Sequence, residues 1–229
     1  MPADALCLVI FDCDGTLVDS QAMIVAAMAR AFELHRLKPL SRHQVLSSVG
    51  LSPPEALRYL VPDASEATVE SLVTAFKGGY TALRQQPENH EPFYPHVLDT
   101  LHALNARNHM QLGIATGKSR RGVKNLLDRH GLDRHFSTIQ TADTNPSKPS
   151  PVMIERALAE AGCEAAHAVM IGDTVYDIEM AKNAGIPAIG VAWGYHPAAE
   201  LAAAGADVIV SDGALLLATI DRVLARAIG

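Results

Sequence analysis

The run Leu6-Cys7-Leu8-Val9-Ile10-Phe11, followed at once by Asp12-Cys13-Asp14-Gly15-Thr16-Leu17-Val18-Asp19-Ser20, constrains this chain more than any other stretch. The apolar run is too short for an ordinary helix and lacks the polar alternation of a half-exposed strand. It reads as a strand buried on both faces, the kind found inside a parallel sheet. Open α/β sheets bind ligands outside the carboxyl ends of their strands, which is where Asp12 and Asp14 fall. The pair is expected to meet a substrate from two directions, one carboxylate attacking while the other handles a proton. Gly15 permits the tight turn that leads the chain away. An isolated Asp-x-Asp would more simply be a turn closing a strand, so the later motifs decide the matter.

Composition narrows the partners. A chain of 229 residues, 48% apolar, can form one large domain or a core with a smaller second unit. A formal charge of −6 argues against a nucleic-acid or anionic-membrane partner. It also means that an anionic substrate needs a metal or a few well-placed cations. Cys7, Cys13 and Cys163 are odd in number, and two lie on or beside the buried strand. That is no disulfide framework and points to a reducing, cytoplasmic setting. The N-terminus enters a strand without the basic region of a signal peptide, and no apolar run reaches membrane-spanning length. The expected partner is a small molecule, with the chain a monomer or homodimer.

From residue 20 to 87 the pattern is helical. Ser20 is placed to cap a helix carrying Ile24, Met28 and Phe32, and Ser41-x-x-Gln44 has the form of a capping box. Gly50-Leu51-Ser52-Pro53-Pro54 breaks that unit and suits the first turn of a new helix. Ser65 opens a helix with Val69, Leu72, Val73, Phe76, Tyr80 and Leu83 on one face, and Gly78-Gly79 is a point of expected interruption. Residues 86–95, polar and proline-punctuated, read as the return linker. Strands then alternate with helices: strands near 110–115, 136–141, 168–173, 186–191 and 208–210, helices near 97–104, 123–127, 151–161, 177–184 and 214–228. The fold class expected is α/β, a doubly wound parallel, Rossmann-like core (residues 1–18 and 90–229) with an inserted all-helical cap (residues 19–89).

Several clusters can carry chemistry. Gly113-Ile114-Ala115-Thr116-Gly117-Lys118-Ser119 approaches a Walker A loop but is one residue short between its glycines, so that phosphate cradle would not form. A strand-end hydroxyl and amide ahead of a helix still make a phosphate seat. Taken singly, Thr116 is an ordinary cap, Lys148 before Pro149 a solvated lysine, and Gly172-Asp173-Thr174-x-x-Asp177 a capped turn.

Their order changes that reading. Phe-Asp-x-Asp-Gly-Thr-Leu-Val-Asp-Ser on the first strand, Thr-Gly-Lys after the second, then Lys-Pro, then Gly-Asp-Thr-x-x-Asp resembles the haloacid dehalogenase superfamily in its phosphatase branch. Ala181-x-x-Ala184-Gly185-Ile186 and Gly190-Val191-x-Trp193-Gly194 extend the resemblance over the whole chain. The helical insert is similar to the cap of the phosphoglycolate phosphatase and β-phosphoglucomutase group. Such phosphatases often carry Asn where Gly117 stands, and a true dehalogenase lacks the second carboxylate that Asp14 supplies.

The resemblance implies a nucleophile at Asp12 that forms an aspartyl-phosphate, and a general acid/base at Asp14. It implies Mg²⁺ on the carboxylates of Asp12 and Asp173 and the backbone carbonyl of Asp14. Thr116, Gly117 and Lys148 would hold the phosphoryl oxygens. Asp177 would belong to the outer shell of the metal or orient Lys148; both roles stay open. Lys118 is a weaker candidate, equally readable as a solvated first-turn lysine. The loop at Gly50-Leu51-Ser52 is expected to reach the closed site, Gly50 allowing close approach and Ser52 offering a hydroxyl to the leaving group or simply capping the next helix. The implied activity is Mg-dependent hydrolysis of a small phosphorylated metabolite, phosphoglycolate the leading name. A phosphosugar mutase is the alternative, with a nucleotide or pyrophosphate hydrolase behind it. A receiver domain would be about half this length without a cap, and a silent binding protein would lack one of Asp12, Asp14, Lys148 or Asp173.

Overall fold

The structure, a computed structural model, describes residues 6–86 and 89–227. Pro87 and Glu88 of the expected return linker, and Ile228 at the end of the expected last helix, lie outside the described residues. Among the described residues the chain forms one parallel sheet of β1 (Cys7–Phe11), β2 (Met110–Thr116), β3 (Phe136–Thr141), β4 (Ala168–Gly172), β5 (Ala188–Val191) and β6 (Val208–Val210). Their order across the sheet is β3-β2-β1-β4-β5-β6. The chain grows from β1 through β2 to β3, then returns to lay β4 on the other side of β1, with Val9 opposite both Leu112 and Val169. Ligands of such sheets bind where the order reverses, here between β1 and β4.

Between β1 and β2 the chain inserts α1 (Gln21–Leu34), α2 (Arg42–Leu46), α3 (Pro53–Leu60) and α4 (Glu66–Arg84). The capping box closes as read: Ser41 Oγ accepts from the Gln44 N–H at 3.2 Å and Gln44 Oε1 from the Ser41 N–H at 3.0 Å. These helices bury a cluster of their own that includes Ile24, Met28, Phe32, Val45, Leu57 and Leu72. Gly78-Gly79 does not interrupt α4. Each glycine costs about 1 kcal/mol in a helix interior, but buried Gly79 lies against Ala27 of α1, and this packing holds the helix together.

The rest of the chain covers the sheet. Alternation along β1 sends Cys7, Val9 and Phe11 into a core shared with α5 (Val97–Asn105), α6 (Arg120–His130) and α10 (Leu216–Ala227). Leu8 and Ile10 face the opposite core, with α7 (Val152–Ala161), α8 (Val175–Asn183) and α9 (Ala198–Ala203). Burial on both faces is why the run 6–11 carries no polar residue. Several elements differ from expectation. α8 starts at Val175, α10 at Leu216 after a 3₁₀ turn (Gly213–Leu215), and the alanine-rich α9 has too little periodicity to announce itself. The three cysteines are buried and form no disulfide among the described residues. No helix among the described residues is long and apolar enough to cross a membrane.

Candidate active site

The carboxyl ends of β1 and β4 deliver Asp12 and Asp173 to the reversal point, and the first turn of α8 adds Asp177. Ligand oxygens of these buried carboxylates lie within 4.8 Å of one another. The loop after β3 supplies Lys148, buried, with Nζ 3.0 Å from Asp12 Oδ2 and 2.5 Å from Asp177 Oδ1. Asp177 Oδ2 accepts from the N–H and hydroxyl of Thr174, at 3.0 and 2.7 Å. Asp177 therefore contacts Lys148 directly and also belongs to the acidic group. Asp173 Oδ1 accepts from Thr16 Oγ1 at 2.7 Å, and Oδ2 from the Tyr195 N–H at 2.9 Å.

Three carboxylates and one ammonium leave surplus negative charge where water is excluded. Burial pushes Asp12 up to about 6, with Lys148 opposing and Asp177 adding to the rise. Burial, then Asp177 and Asp12, carries Asp173 well above the usual carboxylate range. Burial alone would lower Lys148, but Asp12 and Asp177 hold it above its ordinary value.

Asp14 belongs to a different group of charges. Strand alternation would put residues i and i+2 on one face. It is the turn after Asp12, where the Leu17 and Val18 N–H groups both donate to the Cys13 carbonyl, that ends the strand there. Asp14 Oδ1 then accepts from Lys118 Nζ at 2.7 Å and Ser20 Oγ at 2.6 Å. Ser20 occupies the N-cap position of α1, yet makes no side-chain cap bond. Lys118 is not a solvated lysine. Its Nζ also meets Glu91 Oε1 at 2.5 Å, and Tyr80 Oη donates to the same Glu91 oxygen at 2.6 Å. Burial would lower Lys118, but Asp14 and Glu91 hold it well above its ordinary range.

The loop between α2 and α3 rests on the sheet's loops. Ser52 N–H donates to Ser147 Oγ at 2.8 Å and Tyr176 Oη to the Ser47 carbonyl at 3.1 Å. Gly117 faces it so closely that a Cβ would sit 2.6 Å from the Leu51 carbonyl oxygen. Gly50, at φ +100°, likewise has no room for a Cβ, which would fall 2.7 Å from Thr174 Oγ1. A cavity of about 400 Å³ lies under this contact. Asp12, Asp14, Thr116, Gly117, Lys118 and Gly50 line it, whereas Lys148, Asp173 and Asp177 are buried outside its lining. Ser52 does not line it either, and takes the N-cap position of α3 without a side-chain cap bond. Ser48, one turn earlier, does line it. The carboxylate of Asp14 stands outside the acidic group, in which Asp177 takes the third place.

Glu91, Tyr80, Ser20 and Tyr195 escape sequence reasoning. Glu91 sits in a stretch whose composition reads as solvated linker, and nothing local marks it as buried. Tyr80 carries the right period for the apolar face of α4 and no sign of its hydroxyl's partner.

Gly117→Ala should displace the 50–52 loop while leaving the sheet core intact. Hydrogen exchange at the Ser52 amide should then speed up markedly, with the amides of β1 unchanged. Unaltered exchange at Ser52 would show that the loop is not held by this contact.

The chain matches the sequence profile described as haloacid dehalogenase-like hydrolase over residues 9–191. It is 35% identical over 207 residues to a probable phosphatase, IndB, of Dickeya dadantii, covering 89% of this chain and 88% of that protein. The pyrophosphatase PpaX of Oceanobacillus iheyensis is 31% identical over 205 residues, 89% of this chain and 92% of the relative. A phosphoglycolate phosphatase of Agrobacterium fabrum is 32% identical over 216 residues, 91% and 90% of the two chains. Among solved structures, a hydrolase from Pseudomonas syringae superposes with a TM-score of 0.84 at 26% identity, covering 95% of this chain and 99% of that one. With a strand-end carboxylate cluster set at the reversal point of the sheet, and a profile match that spans most of its length, the chain belongs to the haloacid dehalogenase-like hydrolase family.

Proposed function

We propose that this chain is a metal-dependent phosphomonoester hydrolase in which Asp12 carries the phosphoryl group between two half-reactions. The observation that carries this reading is the pair Asp12 and Asp14. Both line one cavity, yet they are held by different lysines. One carboxylate backed by a buried cluster and a second tied to a separate network can take separate tasks. The relatives' names point to phosphate chemistry as well.

The donor set fits Mg²⁺. Asp12, Asp173 and Asp177 offer only hard oxygens, and their surplus charge raises two of them above the usual range. Asp12 and Asp173 would hold the ion together with the backbone carbonyl of Asp14. When bound, it neutralises the carboxylates and the substrate's oxygens so that an anion can approach.

An oxygen of Asp12 attacks phosphorus as the bond to the leaving oxygen breaks, and Asp14 gives that oxygen a proton. Water then attacks the phosphoryl group, Asp14 takes its proton back, and the Asp12–phosphorus bond breaks to release phosphate. Thr116, the Gly117 N–H and Lys148 hold the transferring oxygens, since phosphoryl transfer is governed by positioning and charge neutralisation. Asp177 keeps Lys148 directed at Asp12. The helical unit of residues 19–89 serves as a cap that closes over the cavity.

Metal removal tests this. Phosphate release from p-nitrophenyl phosphate should stop in excess EDTA and return with Mg²⁺; full activity under chelation would contradict the reading. Stability gives a second readout. Asp12 has a folded value of about 6 against an ordinary 3.8. The native state therefore holds this proton more tightly, and stability falls as pH rises through that interval. Mg²⁺ should raise Tm clearly at about pH 7.5 and much less at about pH 5, where protonated Asp12 no longer needs it.

Asp14→Asn should slow hydrolysis of an alkyl phosphate by roughly 10²–10⁴-fold. An aryl ester with a good leaving group needs less proton assistance and should lose less in its first step. Equal losses on both would remove Asp14 from the acid's role.

A further inference from the structure

The far wall of the cavity says what else the substrate carries. About 400 Å³ is within the range that encloses drug-sized ligands, and a two-carbon phosphate ester would leave most of it unfilled. Much of the cavity lining contributed by the helical insert is apolar: Ile24 and Met28 from α1, Leu51 from the α2–α3 loop, Phe76 and Tyr80 from α4. The Phe76 and Tyr80 rings lie 6.0 Å apart at a 47° tilt. A polyhydroxylated group placed there would lose water without gaining partners for its hydroxyls, which is costly.

Beside this apolar stripe runs a polar one. Lys77, Thr81 and Arg84 occupy positions i, i+4 and i+7 of α4, next to Phe76 and Tyr80 at i and i+4, and all five line the cavity. Arg121 of α6 lines it too. Among the described residues Lys77, Arg84 and Arg121 form no ion pair, whereas the other lining cation, Lys118, is taken by Asp14 and Glu91. The remaining carboxylate of the wall, Asp143, is held by the Arg120 N–H at 2.7 Å. Lys77 and Arg121 are exposed and Arg84 half-buried, so all three remain available to an anion that enters the cavity.

We infer that the substrate is a phosphomonoester whose alcohol carries an apolar body, seated on Phe76 and Tyr80, and beyond it a second anionic group met by Arg84 and Lys77. This deepens the phosphatase reading and rests on it.

The test uses the full-length protein with Mg²⁺ and probes that share an alkyl leaving oxygen: para-carboxybenzyl phosphate, para-carbamoylbenzyl phosphate, phosphoglycolate and a hexose phosphate. The first two differ only in the charge at the far end. The carboxylate probe should have the higher kcat/KM by about tenfold, mainly through KM, the worth of one charge-assisted contact. Both benzyl esters should exceed phosphoglycolate and the hexose phosphate. Arg84→Gln should bring the ratio of carboxylate to carboxamide probe towards one, and Phe76→Ala should reduce the preference for benzyl esters over phosphoglycolate. Equal kcat/KM for the two benzyl probes in the unmodified protein would overturn the second anion. A hexose phosphate or phosphoglycolate as the best substrate would overturn the apolar body. Phosphate release from none of the probes would overturn the phosphatase reading itself, and this inference with it.

Discussion

Asp12, Asp173 and Asp177 crowd around one ammonium, that of Lys148, in a region closed to water, and much of the local structure answers to that crowding. Two like charges within 4.8 Å repel by about 3 kcal/mol at an effective dielectric constant near 20. Lys148 offsets part of this, and hydrogen bonds from Thr16, Thr174 and the Tyr195 N–H take up further oxygens. The backbone makes room as well. A Cβ on Gly15 would lie 2.1 Å from an Asp173 oxygen and one on Gly194 2.2 Å from its Cβ. The first of these also needs φ +87°, which glycine adopts without strain. Both glycines are thus dictated by the carboxylate they enclose.

The sheet makes such a cluster possible. Parallel strands buried on both faces end abruptly, and residues just past the ends of β1 and β4 meet where the strand order reverses between them. The inserted helices then meet the second group of charges. Their first crossing from the core brings Ser20 to Asp14, their return brings Glu91 to Lys118, and α4 brings Tyr80 to both. Asp14 is therefore held directly by Ser20 at one attachment of the helical unit and linked to Glu91 at the other only through Lys118, whereas the ion pair of Asp12 is with Lys148 of the core.

This division explains what the sequence discloses. Asp12, Asp14, Thr116, Lys148, Asp173 and Asp177 stand at strand ends or at fixed offsets after them, so the order of motifs assembles them without knowledge of tertiary contacts. The sheet and the helical insert are legible for the same reason, since period and punctuation are local. The partners of Lys118 are not. Glu91 lies 27 residues away in sequence and Tyr80 lies 38, and neither contact leaves a local pattern. Without them Lys118 reads as a solvated first-turn lysine. Ser52 shows the opposite failure. Its position near the site is legible from the Gly-Leu-Ser-Pro-Pro break, but only the packed loop reveals that its backbone is bound to Ser147 and that Ser48 lines the cavity.

The central claim is that two acids separated by one residue, Asp12 and Asp14, divide the chemistry, with Asp12 taking the phosphoryl group. Rapid acid quench of the protein during turnover, followed by peptide mass spectrometry, tests it directly. The account predicts a phosphoryl group on the peptide containing Asp12, lost on treatment with hydroxylamine as an acyl phosphate should be, and absent from Asp12→Asn. A phosphoryl group on any other residue, or one that survives Asp12→Asn, would contradict it.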